Sequence, residues 1–143
     1  MKLVDTNVLL YAVDEGSPHH AVARRWLEEQ LSSAETFAFS WAVLLAFVRL
    51  ATNPRIFESP LSTEAAFDLV DSWLAQPATT VVHPLDRHHQ LLRELLAPLG
   101  TAGNLTSDAH LAALAIEHGA ELCSADSDFT RFPRVRFSNP LEA

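Results

Sequence analysis

The 143-residue sequence predicts an α/β fold of three layers, a twisted and mainly parallel sheet with helices on both faces. Three observations carry that expectation. Short apolar runs of strand length alternate along the whole chain with segments of helical periodicity. Carboxylates stand just beyond the ends of two of those runs, at Asp5 and at Asp126 and Asp128. Pro and Gly punctuate the elements without marking a boundary, so residues 1–143 read as one domain, long enough for a sizeable core.

The elements follow in order. Leu3 and Val4 form a short buried strand ended by Asp5, and a helix covers Val8–Val13 with its amino end near Thr6 or Asn7. Pro18 is placed to start a second helix, along which Ala21, Val22, Trp26, Leu27 and Leu31 recur at helical spacing. Phe37–Phe39 is a second strand. Ser40 caps a helix from Trp41 to about Thr52, stopped by Asn53-Pro54 and apolar on nearly every face, so it is either fully buried or shared with a second copy. Ser62 opens the next helix, Thr80–Val82 makes a third strand, and Arg87–Leu96 a helix ended by Pro98 and Gly100. A helix from Thr106 or Ser107 to His118 closes at Gly119. A strand at Ala120–Cys123, a loop or short turn at Asp126–Phe132 and a strand at Val135–Phe137 complete the chain.

Composition removes several function classes. Ten Lys and Arg against 18 Asp and Glu give a formal net charge of -8, too acidic to coat nucleic acid by charge alone. The single cysteine, Cys123, excludes an intrachain disulfide and reads as a buried, inert thiol. No basic leader precedes an apolar stretch, and no apolar run approaches 18 residues, so no membrane association is expected and the cytoplasm is the expected location. GxSxG, HExxH, CxxC and a phosphate-cradling glycine loop are all missing. The pairs His19/His20 and His88/His89 lack zinc-ligand spacing and read as helix-surface residues. His110, two residues after Asp108, points to a different helix face.

The carboxylates carry the chemistry. Ligands of an open α/β sheet sit beyond the carboxyl ends of its strands, where Asp5, Asp126 and Asp128 all stand. Asp108 lies in the first turn of a helix. Capping accounts for Asp5 equally well, and the helix dipole for Asp108, so position alone decides neither. Together the four place several negative charges in one crevice, a repulsion that a divalent cation relieves. All-oxygen donors select Mg²⁺ or Mn²⁺ over Zn²⁺, and metal-assisted phosphodiester hydrolysis is the natural chemistry of such a site.

Four phrases in this order, VDTNVLLYAVD at Val4–Asp14, FSWAVLLAFVRLATNPRIF at Phe39–Phe57, LTSDAHLAALAIEHG at Leu105–Gly119 and LCSADSDFTRFP at Leu122–Pro133, resemble the PIN-domain toxins of bacterial VapBC-type toxin–antitoxin pairs. The resemblance spans essentially the whole chain. It implies a PIN-like fold and a Mg²⁺- or Mn²⁺-dependent endoribonuclease that cleaves RNA, with a small cognate antitoxin protein as inhibitor and a homodimeric toxin. Asp5 then resembles the first family acid, Asp108 the central one, and Asp126 and Asp128 those of the last loop. These four are the expected metal ligands and catalytic acids, with Ser124 matching the hydroxyl near them. One departure stands out: Ala46 occupies the position of a common glutamate, with Arg49 retained three residues on. That loss motivates an alternative, a catalytically weak PIN-like module that binds RNA or a protein. Arg49, Arg55, Arg131 and Arg134 are the candidate phosphate contacts.

Overall fold

The computed structural model describes residues 1–142. Five parallel strands, β1 (Lys2–Val4), β2 (Phe37–Phe39), β3 (Thr79–Val81), β4 (Glu121–Cys123) and β5 (Phe137–Ser138), form one sheet in the order β3-β2-β1-β4-β5. The chain winds outward from β1 through β2 to β3, then returns to the other side of β1 for β4 and β5. Right-handed crossovers place helices on opposite faces for the two directions of winding. Helices α1 (Thr6–Val13), α2 (His20–Leu31), α3 (Trp41–Ala51) and α4 (Thr63–Leu74) accordingly pack on one another, while α5 (His88–Leu96) pairs with α6 (Thr106–His118). The result is the three-layer α/β/α arrangement that the sequence predicts.

Each strand is two or three residues long, so side-chain packing rather than ladder length holds the sheet. Phe37 and Phe39 are buried on β2 and meet the helical layer edge-on and face-on. Trp26 lies 5.7 Å from Phe37, and Trp73 stacks on Phe39 at 6.0 Å while meeting Phe47 at 4.9 Å. On the other side α6 buries Ala109, Ala112 and Ala115, small residues that let it lie close to the sheet.

Several boundaries differ from the sequence reading. Pro18 does not open α2. The Ser17 hydroxyl accepts from His19 N at 3.1 Å, closing a turn that delays the helix to His20. The third strand begins one residue earlier and the fifth lies later than Val135–Phe137. The loop or short turn expected at Asp126–Phe132 is, by contrast, present as a 3₁₀ turn, Ser127–Arg131, with the Asp126 carboxylate accepting from Asp128 N at 2.9 Å. Burial does not claim α3 all round. Val43, Leu44, Phe47 and Ala51 are buried, whereas Trp41 and Leu45, one turn apart, are 45% and 58% exposed. His88 corrects another expectation: it is buried between α5 and α6, and only His89 lies at the surface.

Candidate metal centre

The winding direction of the sheet reverses at β1, so the connections leaving β1 and β4 run to opposite faces and leave a crevice beyond the carboxyl ends of these strands. Asp5 follows β1 directly, and its N–H extends the ladder to Cys123 O at 2.9 Å. Its side chain does two things. Oδ1 accepts from Thr6 N at 2.7 Å, capping α1, and Oδ2 accepts from Ser124 Oγ at 2.7 Å. Capping and membership of the crevice therefore coexist. Burial pushes the Asp5 pKa up, the hydrogen bonds from Ser124 and Thr6 oppose it, and the Asp126 carboxylate adds to it.

Asp108, Asp126 and Asp128 converge. Each offers a carboxylate oxygen, and the three atoms lie within 4.8 Å of one another on partly buried side chains. Asp108 sits in the first turn of α6, where the helix dipole favours the anion. A role confined to that dipole would lower its pKa. Instead the pKa is raised to about 6, first by burial and then by Asp126, Asp5 and Asp128. Burial first, and then the neighbouring carboxylates, raise it, in keeping with the place its geometry gives Asp108 in the cluster. Three oxygen donors at this spacing suit a hard divalent cation with its short metal–oxygen bonds.

Ser124 is the hub of the support. Fully buried, it donates to Asp5 and accepts from Asn7 Nδ2 at 3.1 Å and Asp126 N at 3.0 Å. Asn7 Oδ1 in turn accepts from Ala125 N at 3.1 Å. The first turn of α1 is thereby tied to the loop after β4, and the two acid-bearing segments are held in register. This bracing role of Asn7 was not foreseen from the sequence. Its only trace there is an amide two residues after a strand-end aspartate. Of the four candidate arginines, Arg131 pairs with a member of the cluster, its Nε 3.8 Å from Asp128 Oδ1, and is well exposed. Arg134 is drawn instead to Glu94 on α5, at 3.3 Å. Cys123 is buried with its thiol pKa pushed up to about 11 by burial, in keeping with an inert residue.

A family model described as "PIN domain" matches residues 2–135, nearly the whole chain. This chain belongs to the PIN-domain family. Among curated relatives of this PIN domain, Ribonuclease VapC37 of Mycobacterium tuberculosis is 52% identical over 140 residues, covering 98% of this chain and 97% of that one. Ribonuclease VapC33 of the same species is 38% identical over 141 residues, covering 99% of each. Among solved structures, VapBC2 from Rickettsia felis bound to a promoter DNA fragment superposes with TM-score 0.71 at 20% identity, covering 96% and 97% of the two chains. Mycobacterium tuberculosis VapC20, described as a sarcin-ricin-loop-cleaving toxin, gives 0.69 at 22% identity, covering 95% and 99%. Those structures share the fold with this one.

The raised Asp108 pKa has a measurable consequence. Between the usual carboxylate value of 3.8 and about 6 the folded state holds a proton that the unfolded state has released. Stability from this residue is therefore present at low pH and lost as pH rises through about 6. His110, lowered by burial and by His88, acts with the opposite sign. Glu35, lowered by the chain amino terminus and Lys2, also acts with the opposite sign, and both groups are common to the two proteins compared. The difference in Tm between wild type and Asp108→Asn, both in chelator, isolates the effect. The gap should move in favour of the variant between pH 5 and pH 7, and a pH-independent gap would contradict the assignment.

Proposed function

We propose that this PIN domain is a metal-dependent endoribonuclease and the toxin of a toxin–antitoxin pair. The observation that carries the reading is the meeting of Asp108, Asp126 and Asp128 at the sheet's switch point in a chain 52% identical to a named ribonuclease. Asp108, Asp126 and Asp128 hold Mg²⁺ or Mn²⁺, with Asp5 completing the negative wall behind them. The chemistry such an ion supplies when bound is Lewis acidity toward water and toward a phosphoryl oxygen. Ser124 and Asn7 fix the carboxylates so that little reorganisation is needed when substrate arrives. Arg131, exposed beside Asp128, pairs its guanidinium with an RNA phosphate. Ala46 offers no carboxylate, so the aspartates alone supply the anionic ligands.

The partners follow from the same reading. RNA is the substrate, a small cognate antitoxin protein is the inhibitor, and the cytoplasm is the place of action. Among the described residues no helix is long and apolar enough to cross a membrane. Trp41 and Leu45 form the exposed apolar strip through which two copies pair, by a two-fold axis. Sedimentation at micromolar concentration should give a dimer, reduced to monomer by Trp41→Glu with Leu45→Glu. A wild-type monomer would rule out this contact.

The test of function is to sequence RNA 5′ ends after brief expression of the intact protein and of Asp5→Asn. Discrete new ends should appear with the first and be absent with the second. Identical end profiles would remove Asp5 from the site. The same ends in cells expressing neither protein would remove the nuclease reading, leaving a module that binds RNA or protein without cutting.

A further inference from the structure

Helix α6 places Asp108 and is buried mainly through small side chains, with Leu111 and Leu114 as its two large buried residues. Of its six buried residues, Ala109, Ala112, Ala113 and Ala115 are alanine. Small side chains allow close approach but raise low ridges, and low ridges resist rotation and sliding weakly. Directional contacts tie it elsewhere: His118 Nε2 meets His83 O at 2.8 Å at the carboxyl end, and the rest lie against α5 and the residues leading into it. Glu117 Oε1 meets His88 Nδ1 at 2.9 Å, and His88 Nε2 meets His110 Nδ1 at 2.9 Å, with the two rings edge to face. The side chains of His88 and Glu117 are only 11% and 8% exposed.

Donors and acceptors run one way along this chain. A carboxylate only accepts, so His88 Nδ1 carries a proton. In the neutral ring His88 Nε2 is then an acceptor, and His110 Nδ1 donates to it. One residue of α5 thus grips α6 at two points seven residues apart, about 10 Å along the axis. His110 is the nearer grip, half a turn from Asp108.

We infer that His88, Glu117 and His110 are positioning residues that fix the rotation and axial setting of α6, and through it the place of Asp108 among the carboxylates. The inference rests on the metal reading of that cluster. Ligand sites tolerate displacements of only about 0.5 Å, so a helix free to settle elsewhere would lose affinity while remaining folded. The chain acts by geometry and not by charge, which gives its test two arms.

His88→Asn keeps a donor toward Glu117 but is too short to reach His110, and it leaves the charge unchanged. Glu117→Gln removes the charge but keeps a carbonyl acceptor for His88. Mn²⁺ binding, followed by electron paramagnetic resonance, should weaken roughly 10- to 100-fold in His88→Asn and stay near wild type in Glu117→Gln. Amide hydrogen exchange in metal-free protein reads the grip independently. Thr106–His110 should exchange on the order of tenfold faster in His88→Asn alone. Should His88→Asn not fold, the pair His88→Leu with Glu117→Leu replaces the buried polar contact by apolar volume and carries the same expectations. Unchanged exchange in the α6 first turn overturns the inference whether or not metal binds. A loss of Mn²⁺ affinity in Glu117→Gln equal to that in His88→Asn also overturns it, since charge would then be the cause. Wild type that binds no Mn²⁺ defeats the metal reading instead, and the exchange result then decides the grip.

Discussion

Asp108→Asn is expected to lower RNA cleavage on the order of 10³-fold or more while making the metal-free protein harder to melt. The two effects share one cause. Asp108 is held beside three other carboxylates with its pKa raised to about 6, so at neutral pH its charge opposes folding in the absence of a cation. Among the described residues its carboxylate accepts no hydrogen bond that Asn would lose. Each kcal/mol of repulsion removed should raise Tm by about 2–4 °C in a chain of this size. Adding Mn²⁺ should then reverse the ranking, stabilising wild type by mass action and leaving the variant nearly unmoved. A variant less stable than wild type in chelator would show that Asp108 serves the start of α6 and not the cluster.

Ser124→Ala should cost about 2–4 kcal/mol of stability and reduce cleavage by roughly 10- to 100-fold. The hydroxyl is fully buried and serves Asp5, Asn7 and Asp126 N at once. Its loss leaves a carboxylate oxygen, an amide and a backbone N–H short of partners, each worth about 1–3 kcal/mol when stranded. The Asp126 backbone would be the first to shift, carrying its carboxylate out of line with Asp108. Denaturant unfolding and single-turnover cleavage measure the two parts separately. Ser124→Thr, which retains the hydroxyl but adds a methyl group in a closed space, should recover part of the activity and less of the stability. Wild-type behaviour in Ser124→Ala would mean that Asp5 and Asp126 are held by other contacts.

Much of this site is written in local patterns. An apolar run ending in Asp5, and another ending before Asp126, place both acids at strand ends once the strands are parallel. What the sequence withholds is the strand order. Nothing in either run states that β4 pairs with β1, yet that pairing puts Asp5 beside Ser124 and Asp126. The likeness to a known family implies the grouping, and the reversal of winding at β1 supplies its physical reason. Histidines were less legible. His88 stands in a polar stretch with His89 and Gln90, and reads as surface until His110 and Glu117, 22 and 29 residues on in sequence, arrive from α6 to satisfy both ring nitrogens. Helix α3 is not fully buried, which leaves the second expectation, a strip shared with another copy. Its apolar residues outnumber the core positions available to it, and the surplus, Trp41 and Leu45, lies outside.

Cleavage of RNA by the purified protein, stripped with EDTA and resupplied with Mn²⁺, tests the central claim most directly. The proposed site requires that cutting cease in EDTA, return with Mn²⁺ in wild type, and fail to return in Asp126→Asn, whose backbone turn the amide preserves. Cleavage that survives chelation, or that Asp126→Asn performs as well as wild type, would contradict it.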